Sequence, residues 1–293
     1  MAEVTVQRTG ELLKKLFEIL MEHPDGMKAQ DALLALKERV VLTNYEKGEY
    51  PSGGPRFDKI VRFATVDCVK AGWLTKDRGI WALTDEGGRA YEQYKSPEQF
   101  YRQAQRLYRE WKKSHKTPTE PIEEQVEEKS ATITFEEAEE QAWAEIENYF
   151  QNMPPYDLQK LVGALLRAME YHVSWISPPG KDGGVDILAW NDPLGTRPPR
   201  IKVQVKREKD KINVSTLRSF MALLGENDVG LFVSVSGFTR DAEDEARTQQ
   251  SRQVTLVDLQ RLFELWVEHL DNIAEESRDL LPLKPIYFLA PET

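Results

Sequence analysis

Gly183-Gly184-Val185-Asp186-Ile187 and, shortly after it, Ile201-Lys202-Val203-Gln204-Val205-Lys206 are the stretches on which the fold and chemistry of this chain turn. The second alternates strictly. Ile201, Val203 and Val205 fall on one face of an extended strand, and Lys202, Gln204 and Lys206 on the other. An apolar strand face is ordinary. A Gln and two Lys on the opposite face, beside an Asp on a neighbouring strand, are not. Asp186 can hold a divalent cation, and Gln204 adds a neutral oxygen ligand. Lys206 can steady or deprotonate a water, or stabilise charge on a phosphate. Hard-cation chemistry on a phosphodiester requires these parts.

Outward from these strands the pattern is an α/β domain. Leu158, Leu161, Val162, Leu165, Leu166 and Met169 recur at helical spacing. Extended runs follow at 171–176, 185–190 and 201–207, the first two separated by the turn-rich segment 178–184. A helix over 214–224 leads to an apolar strand at 229–236. A polar helix starts near Asp241, then a strand at 254–257 and a helix at 259–270. The order α-β-β-β-α-β-α-β-α predicts a mixed sheet with helices on both faces.

The first hundred residues read differently. Leu12, Leu13, Leu16, Phe17, Leu20 and Met21 mark a first helix, and Ala32, Leu33, Leu36 and Val40 a second. A third runs from about Phe57 to Ala71. The extended runs 73–75 and 80–83 flank Lys76-Asp77-Arg78-Gly79, a hairpin turn signal. A helix over 85–94 closes the unit. Three helices followed by a hairpin is the order of a winged helix, all-α with a small hairpin. Its third helix lies in a major groove and its wing reaches the backbone. Arg56, Lys59 and Arg62 on the third helix, with Lys76 and Arg78 on the wing, are the expected DNA contacts. A wing used only for protein contacts is the alternative.

The chain has 293 residues, 40% hydrophobic and 30% charged, the values of globular domains. No apolar run reaches the roughly 20 residues of a membrane helix, and the N-terminus lacks the basic and apolar regions of a secretory signal. Its single cysteine, Cys68, forms no internal disulfide, so a cytoplasmic setting is expected. The net charge of −10 is local. Residues 120–147 hold eleven Glu and one Lys, and the remainder of the chain sums to zero. The expected division is a winged helix over 1–112, an acidic linker with a connector helix over 113–153, and the α/β domain with a tail over 154–293. The acidic stretch either competes with phosphates for the basic track from Lys202 to Lys211 or is a solvated spacer.

The GGVDI and VQVKR segments, the stretch GENDVGLFVSVSGF and the later VTLVDLQRL resemble the catalytic domain of the Mrr family of restriction endonucleases, in the PD-(D/E)xK superfamily. RFDKIVRFA, AGWLT and GIWALTDEGG are similar to the family's N-terminal winged helix. The resemblance implies a Mg²⁺-dependent endodeoxyribonuclease, with Mn²⁺ as a possible substitute, acting on duplex DNA as a homodimer or higher oligomer. It implies Asp186 as metal ligand, Gln204 in place of the usual Glu, the Val205 carbonyl as a further ligand and Lys206 as catalytic lysine. Lys202 and Arg207 would contact phosphate. A type IV restriction role against modified foreign DNA follows. Gln159 stands where the family often carries Glu. Gln159 and Gln204 leave room for a catalytically impaired DNA-binding regulator, and the acidic stretch for a partner-dependent subunit of a larger defence complex. His172 and Cys68 read as structural, and Ser234 and Ser236 lack the glycine elbow of a serine hydrolase.

Overall fold

The computed structural model describes residues 4–50, 54–115, 122–178, 183–249 and 252–286, with the side chains of 115 and 122–132 outside the description. The chain forms two compact units, and the division falls between Ala144 and Glu145.

In the first unit, α1 (Val6–Met21), α2 (Ala29–Arg39) and α3 (Arg56–Lys70) precede the hairpin β2 (Leu74–Asp77) and β3 (Ile80–Leu83). A two-residue strand, β1 (Met27–Lys28), pairs with β3 to give the order β1-β3-β2. The hairpin turn places Arg78 and Gly79 at φ 46° and 78°, the left-handed pair that a two-residue hairpin requires. α4 (Asp85–Gln93) starts at Thr84, whose hydroxyl accepts the Gly87 N–H at 3.0 Å.

Two helices exceed what the sequence pattern predicted. α5 (Pro97–His115) belongs to the core of this unit. Phe100 lies 5.0 Å ring to ring from both Phe17 and Trp73, and the Tyr101 hydroxyl donates to the fully buried Asp67 at 3.0 Å. That contact satisfies an acid in the middle of α3 and pushes the Tyr101 phenol upward, through burial first and the Asp67 charge second. α6 (Ile122–Asn152) spans much of the stretch expected to be a linker. Glu, Ala and Gln are good helix formers, and Glu136 and Glu140 find basic partners on the first unit.

The second unit contains α7 (Pro155–Ala168), β4 (His172–Ile176), β5 (Ile187–Trp190), β6 (Arg200–Lys206), α8 (Val214–Met221), β7 (Asp228–Ser234), α9 (Arg240–Thr248), β8 (Val254–Val257) and α10 (Leu259–Glu268). A short 3-10 turn (Leu270–Asn272) and α11 (Glu275–Arg278) follow. The five strands lie in chain order, β4-β5-β6-β7-β8. β4, β5 and β6 run antiparallel, while β6, β7 and β8 are parallel. The parallel pairs are bridged by helices, as such crossovers require. Phe220, Phe232, Phe238 and Ala242 build a core that places α8 and α9 on one sheet face. Gly163 of α7 sits against Ile176, whose partner Ile187 pairs with the buried Val203, so α7 covers the opposite face. The predicted mixed sheet with helices on both faces is the fold observed.

Candidate active site

The site forms where β5 and β6 begin to pair. The Asp186 N–H donates to the Val203 carbonyl at 2.8 Å, and Ile187 stands opposite Val203. These contacts set Asp186 against Val203 and Val205 of β6, the residues that flank Gln204. Burial along β6 alternates as the sequence predicts: Ile201, Val203 and Val205 are buried, and Lys202, Gln204 and Lys206 are half-buried on the other face. Lys206 therefore follows Gln204 by one pleat on the same face.

Asp186 is only 3% exposed, and its carboxylate is held from two sides. Oδ2 accepts the Val205 N–H at 2.7 Å, and Oδ1 accepts the Gln159 amide at 2.6 Å. A carboxylate offers about four acceptor positions, so these two donors orient it without exhausting it. Gly184 approaches at φ 87°. A Cβ there would lie 2.9 Å from Leu223 Cδ1 and 3.7 Å from the Gln204 amide nitrogen, so the glycine lets the chain close over Gln204. The Lys206 ammonium stands 3.5 Å from Glu208 on the half-exposed end of the strand.

Gln159 is the residue whose role the sequence did not define. Its position in α7 was visible only as a departure from Glu. In the fold it is a positioning residue for Asp186. Gln159→Ala should lower cleavage roughly 10- to 100-fold, the usual cost of losing the group that orients a ligand, with a loss of about 1–3 kcal/mol in stability from the buried carboxylate it leaves short of a donor. Plasmid cleavage rates and melting curves check this.

The other anticipated residues are dispersed. Lys202 turns to Asp228 at 2.8 Å and to the Leu223 carbonyl. Asp228 also takes both arms of Arg200, at 2.8 and 3.0 Å, and the Gly225 N–H. Burial opposes its charged form, but these donors win and hold the Asp228 carboxyl well below the usual carboxylate range. Arg207 donates to the Gln151 carbonyl. In the first unit, the Arg56 guanidinium lies over Tyr45 at 4.4 Å, and Lys59 stands 5.7 Å from the Tyr50 ring. Arg62 and Lys76 are buried in ion pairs with α6, and Arg78 lies over Trp143 at 5.7 Å. The Ser234 hydroxyl is fully buried and donates to the Gly237 carbonyl, a structural role. Asp182 and Lys181, in the turn-rich loop, lie outside the described residues.

Two family profiles match the chain. One, described as "Mrr N-terminal domain", covers residues 10–93, and the other, described as "Restriction endonuclease", covers residues 150–266. The chain belongs to the Mrr family of restriction endonucleases. The Mrr catalytic match begins at the C-terminal end of α6 and ends in α10, and so contains Gln159, Asp186, Gln204 and Lys206. The second unit is thus a nuclease domain. Among solved structures, MspJI restriction endonuclease in complex with a 27-mer oligonucleotide is similar at 17% identity and a TM-score of 0.39. The similarity covers 50% of this chain and 36% of that one, so the chain spans little more than a third of that enzyme's length. Comparison with curated proteins gives no match. No helix among the described residues is long and apolar enough to cross a membrane.

Nuclease domains of this superfamily typically use divalent metal ions. Among the described residues of this Mrr chain, no three His, Cys, Asp or Glu side chains gather to hold a metal. The donor set on offer is the Asp186 carboxylate with the Val205 main chain that it meets, and the Gln204 amide from the residue before Val205. This oxygen-bearing set of a single negative charge fits a hard cation with open positions, completed by phosphate oxygens.

Proposed function

We propose that this Mrr-family nuclease hydrolyses phosphodiester bonds of duplex DNA with Mg²⁺, or Mn²⁺ in its place, as a type IV restriction enzyme against modified foreign DNA. The observation that carries the proposal is the buried Asp186 carboxylate, held between Gln159 and the Val205 N–H, on the strand that pairs with the Gln204 and Lys206 face of β6. Asp186, Gln204 and the Val205 carbonyl are the groups that would hold the cation. Bound there, it would neutralise phosphate charge and acidify a water.

The chain's own residues do the rest. Gln159 and the Val205 amide fix the Asp186 carboxylate in one orientation, so no reorganisation is needed when DNA arrives. Lys206 places a positive charge beside the scissile phosphate, where it stabilises the charge that develops in the transition state. One such site cuts one strand, so duplex cleavage calls for two copies, most simply a homodimer. The restriction role is tested by cleavage of plasmids carrying modified and unmodified bases. Cutting confined to modified DNA is expected, and equal cutting of both would refute it.

The low charge of the site makes a prediction of its own. Gln204→Glu adds a carboxylate to the donor set and should raise Mn²⁺ affinity by about tenfold or more without DNA present. Isothermal titration with Mn²⁺ measures it directly. The competing reading, a DNA-binding regulator with little catalytic power, draws on the amides at 159 and 204. It expects DNA binding with no metal-dependent nicking.

A further inference from the structure

The acidic helix α6 meets the first unit at the very residues that the winged-helix reading assigns to DNA. Arg62 in α3 donates both arms to Glu140, at 2.8 and 2.7 Å, and its Nε stands 3.6 Å from Glu137. Lys76 in β2 donates to Glu136 at 2.7 Å. The side chains of Arg62 and Lys76 are 5% and 7% exposed. Both cations lie over Trp81, at 5.5 and 4.7 Å from the ring, and the ring is itself fully buried. The wing turn joins the contact: a Cβ on Gly79 would sit 2.6 Å from Glu140 Cγ and 3.3 Å from its Cβ.

Three carboxylates from two consecutive turns face two cations from different elements, with bidentate geometry at Arg62. Arg binds carboxylate and phosphate through the same planar fork, so Glu140 occupies Arg62 as a phosphate oxygen pair would. Lys76 is served the same way by Glu136. A buried ion pair contributes little net stability, because desolvation offsets the attraction. Exchange of carboxylate for phosphate at these two cations is then close to balanced, and DNA concentration or an added contact can tip it.

We infer that the Arg62–Lys76–Trp81 face is a docking surface for the phosphate backbone of duplex DNA, and that residues Glu136, Glu137 and Glu140 of this chain cover it in the free protein as a carboxylate substitute for that backbone. The inference rests on the DNA reading above and adds to it a competitor within the chain. It also gives Glu136, Glu137 and Glu140 of the acidic stretch a partner other than the track from Lys202 to Lys211, the alternative to a solvated spacer that the sequence offered. Lys202 is instead engaged with Asp228.

The test is duplex binding by the full chain, followed by fluorescence anisotropy in EDTA so that no cutting intervenes. A triple variant, Glu136→Gln, Glu137→Gln and Glu140→Gln, keeps the hydrogen-bond acceptors and removes the charges. It should bind a 30-base-pair duplex at least about tenfold more tightly than wild type. Its plot of log affinity against log salt should steepen by about two, one for each cation released to phosphate. A control with the same charge change, Glu92→Gln, Glu98→Gln and Glu110→Gln, alters only exposed pairs within α4 and α5 or at their ends. It should change affinity far less and leave the slope alone. Equal gains in the two triple variants, or none in either while wild type binds, would overturn the cover and leave DNA binding standing. Failure of all three proteins to bind duplex at low salt would overturn the DNA reading together with the cover. A second measurement guards against a misfolded triple variant. The Gly79 and Glu140 Cβ positions are near disulfide range. The double variant Gly79→Cys, Glu140→Cys should lose at least tenfold in duplex affinity on oxidation and regain it on reduction. Identical affinity in both redox states, with the cross-link formed, would contradict the inference.

Discussion

Lys206→Ala and Asp186→Ala are each expected to reduce plasmid cleavage by at least about 10²–10³, with folding retained. Loss of one preorganised electrostatic group at a phosphoryl centre costs this much, and Lys202, the other cation on that face of β6, is engaged with Asp228. The two should fail differently. Asp186 is almost fully buried and receives two hydrogen bonds. Its removal leaves the Gln159 amide and the Val205 N–H without that acceptor, so some stability should be lost with activity, about 1–3 kcal/mol. Lys206 is half-exposed, with Glu208 its nearest carboxylate. Its removal should leave the urea midpoint where it is. Single-turnover cleavage and urea unfolding, run side by side on the two variants, separate these outcomes.

Asp228→Asn is expected to destabilise the nuclease unit markedly while leaving Asp186, Gln204 and Lys206 unchanged. Asp228 anchors Arg200, Lys202 and the Gly225 N–H at the start of β7, across from the start of β6. The side chain is 4% exposed and its partners are 38% and 15% exposed, so solvent screens part of the attraction. A loss of about 2–3 kcal/mol is appropriate for charge-assisted hydrogen bonds in this setting. Its pH dependence has a definite sign. The folded carboxyl lies well below its unfolded value, so its contribution is complete above about pH 4, where an unperturbed aspartate is ionised. It is lost as pH falls from there toward the depressed folded value. The gap between wild-type and Asp228→Asn unfolding free energies should be constant from pH 7 to about 5 and shrink below 4. A gap that grows on acidification would contradict the assignment.

The nuclease fold was legible because its information is local. The alternation of Ile201, Val203 and Val205 with Lys202, Gln204 and Lys206 survives intact in β6, and each parallel strand is announced by an apolar run. That the strand after Asp186 pairs with the strand carrying Gln204 and Lys206 was legible for the same reason, since a short connection leaves few choices. What escaped was information carried between distant elements. α5 shows apolar residues at Phe100, Tyr101, Ala104, Leu107, Tyr108 and Trp111, a helical stripe present in the sequence but masked by the polar residues between them. The partner of Asp67 could not be read at all, because a buried acid and a tyrosine 34 positions away share no periodicity. The same holds for Gln159. Its spacing puts it on a helix, but only the packing of α7 beside β5 shows that its amide reaches Asp186. The charges of α6 were counted correctly as a local excess, yet a count carries no address. Burial of Arg62 and Lys76 against Glu140 and Glu136 needed the fold.

The central claim, that the Asp186–Gln204–Lys206 set is a metal-dependent DNA-cutting site, is tested most directly by incubating the purified full chain with supercoiled plasmid, modified and unmodified, in Mg²⁺ or Mn²⁺. Nicked and linear products from the wild-type protein, abolished by EDTA and absent with Lys206→Ala, are the predicted result. Intact plasmid under every metal and modification, or products that persist unchanged in Lys206→Ala, would contradict it.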